Sequence, residues 1–368
     1  MKLQKNGVNL LLVGEALLLI VVLVAGLVSG ASGAIKDATG DSENNIVINT
    51  ENNWKPSGSE GESQKPSGSE NNGGEDLRWT VPENYTDGQV KFTGTVEEML
   101  SNMNTEQKVA QLFAVTPEAL TGYDQVRVFG NASKTAYDQC PVGALIYSAH
   151  NYQNNAQMKA LVDGARTYSR DIYGRDLWAI MSEPAGTSLQ VCIDDANNYG
   201  MNLILGGIGD IEAIKAANLS SAVGVFPGGQ AVAGATLAEL NEGALVSFSD
   251  CIKTGSTIIV ISNTPVAAIT DDDRVPCSMS ARTVALIRQS MGYNGVLMTE
   301  DFSQEAFVAT YGSGQACVEA IKAGMDMIYN PANFTESYNA VLEAVKNGNI
   351  SADRLHNAVG RILTAKGV

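Results

Sequence analysis

From Thr95 onward the chain alternates short apolar runs with helical patterns, and this alternation constrains the fold more than any other feature. The runs occupy residues 111–115, 144–147, 177–181, 202–205, 222–226, 257–261, 296–298 and 325–329. Each is a few residues long and mostly apolar, as expected of strands buried on both faces of a parallel sheet. Helical segments lie between most of them. In residues 156–168, Leu161, Ala165 and Tyr168 share one face, and residues 281–291 form another such segment. Two helices follow the last run, over 334–347 and 351–365, with Gly348 and Asn349 breaking them and Ser351 capping the second. Eight βα units in one domain predict an α/β fold, a closed TIM-type (β/α)8 barrel. A doubly wound open sheet is the alternative, but it would show a Gly-rich turn after its first strand. Here that strand leads into Thr116, Pro117 and Glu118. The connection over 206–221 is short, so the barrel is expected to be shortened between strands four and five, with room for a minimal helix.

The chain before the barrel has a different character. Lys2 and Lys5 precede an apolar run over residues 8–28, interrupted by Glu15, and small residues fill 29–34. Residues 1–34 therefore read as a signal peptide or a membrane anchor, and both readings stand. Lysines before the run and acidic residues after it put the C-terminal part outside, as an extracellular or cell-surface protein. Membrane contact is expected only through this segment. Residues 35–92 read as a disordered acidic linker rich in Asn, Ser, Gly and Glu, with KPSGSE at 55–60 and again at 65–70. The barrel is assigned to 93–368. A formal charge of -16 repels phosphate backbones and argues against nucleic acid as a partner. The five cysteines show no CxxC spacing, and no metal site or organic cofactor is implied. His150 and His356 are the only histidines, which excludes mechanisms needing several.

Barrel chemistry sits at the C-terminal ends of the strands. Reading those ends gives Thr116, residues 148–150, Ser182, Glu183, Gly206, Pro227, Gly228, Asn263, Thr299, Glu300, Asp301 and Asn330. Glu300 and Asp301 stand immediately at a strand end and are the candidate catalytic carboxylates. Glu183 and His150 are candidate substrate-binding groups. Paired carboxylates across a barrel mouth can hydrolyse a glycoside when about 5 Å apart. Asp271, Asp272 and Asp273 are read as solvated loop residues.

The segment from Val96 to Val368 resembles the barrel domain of glycoside hydrolase family 3, most closely its single-domain β-N-acetylhexosaminidases. The segments that carry the resemblance are MNTEQKVAQLFAV (103–115), PVGALIYSAHNYQNNAQMKALVDGAR (141–166), SARTVALIRQSMGYNGVLMTEDF (280–302), YGSGQACVEAIKAGMDMIYNP (311–331) and NGNISADRLHNAVGRILTAK (347–366). The resemblance implies removal of terminal N-acetylglucosamine from cell-wall glycans, with a nucleophile after the seventh strand. The sequence departs from the family's pattern at the functional positions. Glu300 stands where the family carries aspartate, and its extra methylene moves the carboxylate about 1 Å, a shift that can cost ~10²-fold. Gly224 and Val225 replace the sugar-gripping Lys-His ahead of Phe226, Pro227 and Gly228, and Gly229 replaces a histidine. The Asp-x-His acid/base dyad has no counterpart, Ser182 replaces a sugar-binding aspartate, and an arginine-bearing segment before the fifth strand is missing. Two readings follow: a hydrolase with Glu300 or Asp301 as nucleophile, or a non-catalytic member binding wall glycan or a protein. An unrelated barrel enzyme would need a base or Schiff-base lysine at a strand end, and none is found.

Overall fold

The computed structural model describes residues 78–368, apart from 84, 86, 88, 89 and 183–186. The expected signal or anchor at 1–34 and the linker over 35–77 lie outside the described residues. Eight parallel strands appear where the apolar runs predict them: β1 (Phe113–Val115), β2 (Ala144–Tyr147), β3 (Trp178–Met181), β4 (Leu203–Gly206), β5 (Ser220–Phe226), β6 (Ile258–Ile261), β7 (Val296–Thr299) and β8 (Ile328–Tyr329). The sheet runs β7-β6-β5-β4-β3-β2-β1-β8. A parallel bridge between Met298 and Met327, with Thr299 N donating to Met327 O at 3.0 Å, joins β7 to β8 and closes the barrel. The connection between β4 and β5 holds only the helix Ile211–Ala216, as the short spacing predicts.

Local chemistry sets the helix limits. Asn154 accepts from Gln157 N to start the helix Asn155–Tyr173, and Gly174 ends it at φ 65. That helix buries Leu161 and Ala165 against the strands. Ser351 caps the last helix, Ala352–Ala365, by accepting from Arg354 N. The segment read as a helix over 281–291 is α-helical from Ala281 to Ala285 and continues as a π-turn over Leu286–Ser290, which carries the buried Arg288.

Residues before the expected domain boundary at 93 also pack on the barrel. Trp79 is buried and exchanges hydrogen bonds with Asn241, at 2.6 Å from its N–H and 3.0 Å to its carbonyl. Thr80 O accepts from Ser290 Oγ, and Val90 N donates to Asn357 Oδ1. Asp87 pairs with Arg354 and, at 2.7 Å, with Arg361. These scattered apolar residues and one carboxylate dock a segment whose average composition reads as linker. Its partners lie in the helix Leu237–Glu242, in the turn before β7 and in the last helix.

The same arginines meet Asp326, which is fully buried. It accepts from Arg288 at 2.5 Å, from Arg354 at 2.6 Å, from Arg361 at 3.0 Å and from Leu297 N at 2.9 Å. Burial raises the Asp326 carboxyl, but the guanidinium charges outweigh it and hold it below the usual range. Burial likewise raises Asp87, and Arg361 and Arg354 bring it down to about 2 from 3.8. Removing one partner of such a buried network leaves charge uncompensated, a loss of about 3–5 kcal/mol. Asp87→Asn is therefore expected to lower the urea-unfolding free energy by about that amount at neutral pH. Because the folded pKa is depressed, the stability contributed by ionised Asp87 is present above pH 3.8 and is lost as pH falls through about 2. The gap between the parent chain and Asp87→Asn should narrow over that window in acid titrations followed by circular dichroism.

Candidate functional site at the strand ends

Glu300 and Asp301 follow β7 directly, at the C-terminal end of the barrel. Glu300 N donates to Ile261 O at 2.8 Å, which fixes the turn leaving the strand. Its Oε2 accepts from Asn263 N at 2.8 Å and from Ser262 Oγ at 3.2 Å, both just beyond β6. The Ser262 hydroxyl is itself oriented by Thr264 N at 3.0 Å. Asn263 also donates from Nδ2 to Asp301 O at 2.8 Å and accepts from Ser278 Oγ at 2.9 Å. Asp301 faces a different set of partners. Its Oδ1 accepts from Ser303 N at 2.8 Å, and Asn330 Nδ2 lies 3.1 and 3.2 Å from its two oxygens. Glu300 is thus aimed by β6, while Asp301 closes a local turn and ties it to the end of β8.

The other candidates lie apart from this pair. His150 follows β2 and is exposed; its Nε2 lies 2.8 Å from Asp124 O, so that ring nitrogen carries the proton and donates. Glu183 lies outside the described residues. Its neighbour Ser182 donates its N–H to Tyr147 O at 2.7 Å. A cavity of about 170 Å³ opens beside β3 and β4, lined by Met181, Ser182, Thr187, Cys192, Met201 and Leu205 among others. Asp272 forms an exposed pair with Arg274 at 2.9 Å, in keeping with a solvated loop.

The β5 end explains what replaces the expected Lys-His. Val223 pairs with Ile259 and Phe226 with Ile261, so β5 carries one extra residue and bulges at Gly224 and Val225. The Gly224–Val225 and Phe226–Pro227 peptide bonds are both cis. A Cβ at position 224 would lie 2.5 Å from Val260 Cβ and 3.2 Å from Val260 O. The room a lysine would need at its first side-chain carbon is already occupied by β6. At Gly229, φ is 59, and a Cβ would meet Val225 Cγ2 at 3.2 Å. The β5 side of the mouth is therefore closed by valines where the resemblance puts sugar-gripping cations.

Sequence reasoning also missed Glu118, named there only in the segment that follows the first strand. Its Oε1 accepts from Val126 N at 2.8 Å and from Asn151 Nδ2 at 2.7 Å, clamping the loop after β1 to the loop after β2. The one available signal was its place immediately beyond a strand end.

The Gly224 geometry gives a direct test. Gly224→Ala should destabilise the chain by about 1–3 kcal/mol through overpacking. Adding Val260→Gly should cost less than the sum of the two single changes. A double-mutant cycle by urea unfolding should show a coupling of about 1 kcal/mol or more.

Comparison with known proteins bears on the fold and the family. Residues 228–365 match the family model for the glycosyl hydrolase family 3 N-terminal domain. A β-N-acetylglucosaminidase/β-glucosidase from Cellulomonas fimi is 23% identical over 175 residues, covering 42% of this chain and 31% of that protein. A family 3 β-N-acetylglucosaminidase structure from Paenibacillus sp. str. FPU-7 superposes with a TM-score of 0.62 at 18% identity, covering 72% of this chain and 62% of that one. A β-N-acetylhexosaminidase structure from Beutenbergia cavernae gives 0.59 at 18% identity, covering 72% of this chain and 99% of that one. The chain spans less than two thirds of the Cellulomonas and Paenibacillus proteins. The resemblance to glycoside hydrolase family 3 is borne out: the described residues fold as that family's barrel, and residues 228–365 carry the sequence pattern of its N-terminal domain.

Proposed function

We propose that this barrel binds an N-acetylhexosamine-containing glycan at its strand ends and has lost efficient hydrolysis. The observation that carries this reading is Val260, whose Cβ stands 2.5 Å from where a side chain at position 224 would begin. A lysine cannot be accommodated there without moving β6. The acid/base role is equally bare, since the residues between His150 and His356 include no histidine and the His150 ring is engaged with Asp124 O. General acid catalysis contributes typically 10²–10⁴-fold, so its loss alone would leave little turnover. The activities of the similar proteins support N-acetylglucosamine as the sugar class. The apolar run over 8–28, preceded by Lys2 and Lys5, supports an exported or surface-held protein, which makes cell-wall glycan the natural target.

One observation favours the alternative reading as a hydrolase. Glu300 is held by two donors from β6, as an oriented nucleophile would be. The two readings separate in one assay. Release of the leaving group from an aryl β-N-acetylglucosaminide by the full-length chain is expected to be indistinguishable from that of Glu300→Gln. Turnover that the substitution abolishes would overturn the non-catalytic reading and assign Glu300 as nucleophile.

A further inference from the structure

The loops that follow β1 and β2 are bound to each other more tightly than surface connections need to be. Asn151 is 1% exposed and sits at their junction. Its Nδ2 donates to Glu118 Oε1 at 2.7 Å and to Val126 O at 2.9 Å, and its Oδ1 accepts from Ser148 N at 3.0 Å. His150 Nε2 donates to Asp124 O at 2.8 Å, and Gln125 Nε2 answers with a 2.8 Å bond to His150 O. Gln157 Nε2 reaches Arg127 O at 2.6 Å. Four consecutive residues, 124 to 127, are thereby held beside the start of the helix Asn155–Tyr173.

These two coupled loops display apolar side chains outward. Tyr123 is 59% exposed, Val128 70% and Tyr152 38%. Isolated exposed apolar residues are ordinary, but here two tyrosines flank one hydrogen-bonded junction at the mouth end of the barrel. Tyr152 is further fixed by donating to Asn155 Oδ1 at 2.7 Å and by its contact with Tyr199, ring centroids 5.9 Å apart. A rigid aromatic on an ordered loop loses little entropy on binding, which is the usual design of a recognition surface.

We propose that Tyr123 and Tyr152 form a stacking rim for a neutral oligosaccharide, with the His150–Asp124 and Asn151–Glu118 bonds as the pins that hold it. The proposal rests on the glycan-binding reading above and names a surface for it outside the β5–β7 side of the mouth. A phenol ring offers an apolar face to the C–H face of a pyranose and a hydroxyl to its rim. Charge favours the same occupant, because a chain of net charge -16 repels anionic partners and leaves a neutral polyol unopposed. In this arrangement His150 acts as a positioning residue for the loop and not as a proton carrier.

The test is isothermal titration of the full-length chain with a soluble N-acetylglucosamine tetramer. The Tyr123→Ala/Tyr152→Ala double variant should bind about tenfold more weakly while remaining folded by circular dichroism, since Tyr152 gives up only one exposed hydrogen bond and one ring contact. Tyr123→Phe/Tyr152→Phe, which keeps both rings, should retain most of the affinity. Binding by the parent chain that the alanine variant preserves would overturn the rim while leaving the glycan-binding reading intact. No binding by the parent chain would overturn both. A concentration-dependent dimer in the parent chain that the alanine variant abolishes would also overturn the proposal, since the rim would then be a self-association surface.

Discussion

A fully buried carboxylate, Asp326, holds this barrel at its seam. β7 and β8 are joined through a single bridge, Met298 to Met327, and β8 is only two residues long. Asp326 sits immediately before β8 and accepts from Leu297 N in β7, while its own N–H donates to Leu297 O. Three guanidinium groups converge on it: Arg288 arrives from the π-turn before β7, and Arg354 and Arg361 come from the last helix. One residue thus ties together the closing strands, the helix between the sixth and seventh strands and the C-terminal helix. A buried charge of this kind is tolerable only when every member is paired, and Asp87 supplies the second anion. The segment before the first helix thus contributes the second of two carboxylates that face three guanidinium groups in this network.

Much of this was legible in the sequence, for a definite reason. Strands buried on both faces are mostly apolar, so each of the eight stood out by composition, although the Asp326 carboxylate inside the last run did not. The helix caps at Asn154 and Ser351 were equally readable, because capping is a local matter of one side chain and a nearby N–H. The docking of Trp79 and Asp87 was not legible. Their partners, Asn241, Arg354 and Arg361, lie far along the chain, and the residues around them have the composition of a linker. Windowed composition averages away one tryptophan and one aspartate, although these two decide where the domain begins.

The candidate site divides in the same way. Its strand-end address could be read from the order of the elements, which is how Glu300, Asp301 and His150 came to be singled out. Their roles depend on contacts between neighbouring strands. Glu300 takes its orientation from Ser262 and Asn263 on β6, whereas Asp301, one residue later, is absorbed into a turn with Ser303 and Asn330. Adjacent carboxylates of identical charge therefore differ in what they are free to do. Glu118, which carries no signature beyond its position, organises two loops.

The fit between Gly224 and Val260 also makes the present state hard to leave. A longer side chain arriving first at 224 would meet Val260 Cβ. Trimming Val260 first would leave a hole and a loose glycine in a barrel strand. Each single step lowers stability, and only the pair together restores room. The two positions work as a ratchet: single substitutions at either one run into a clash or a cavity, so only a paired change opens room at the barrel mouth.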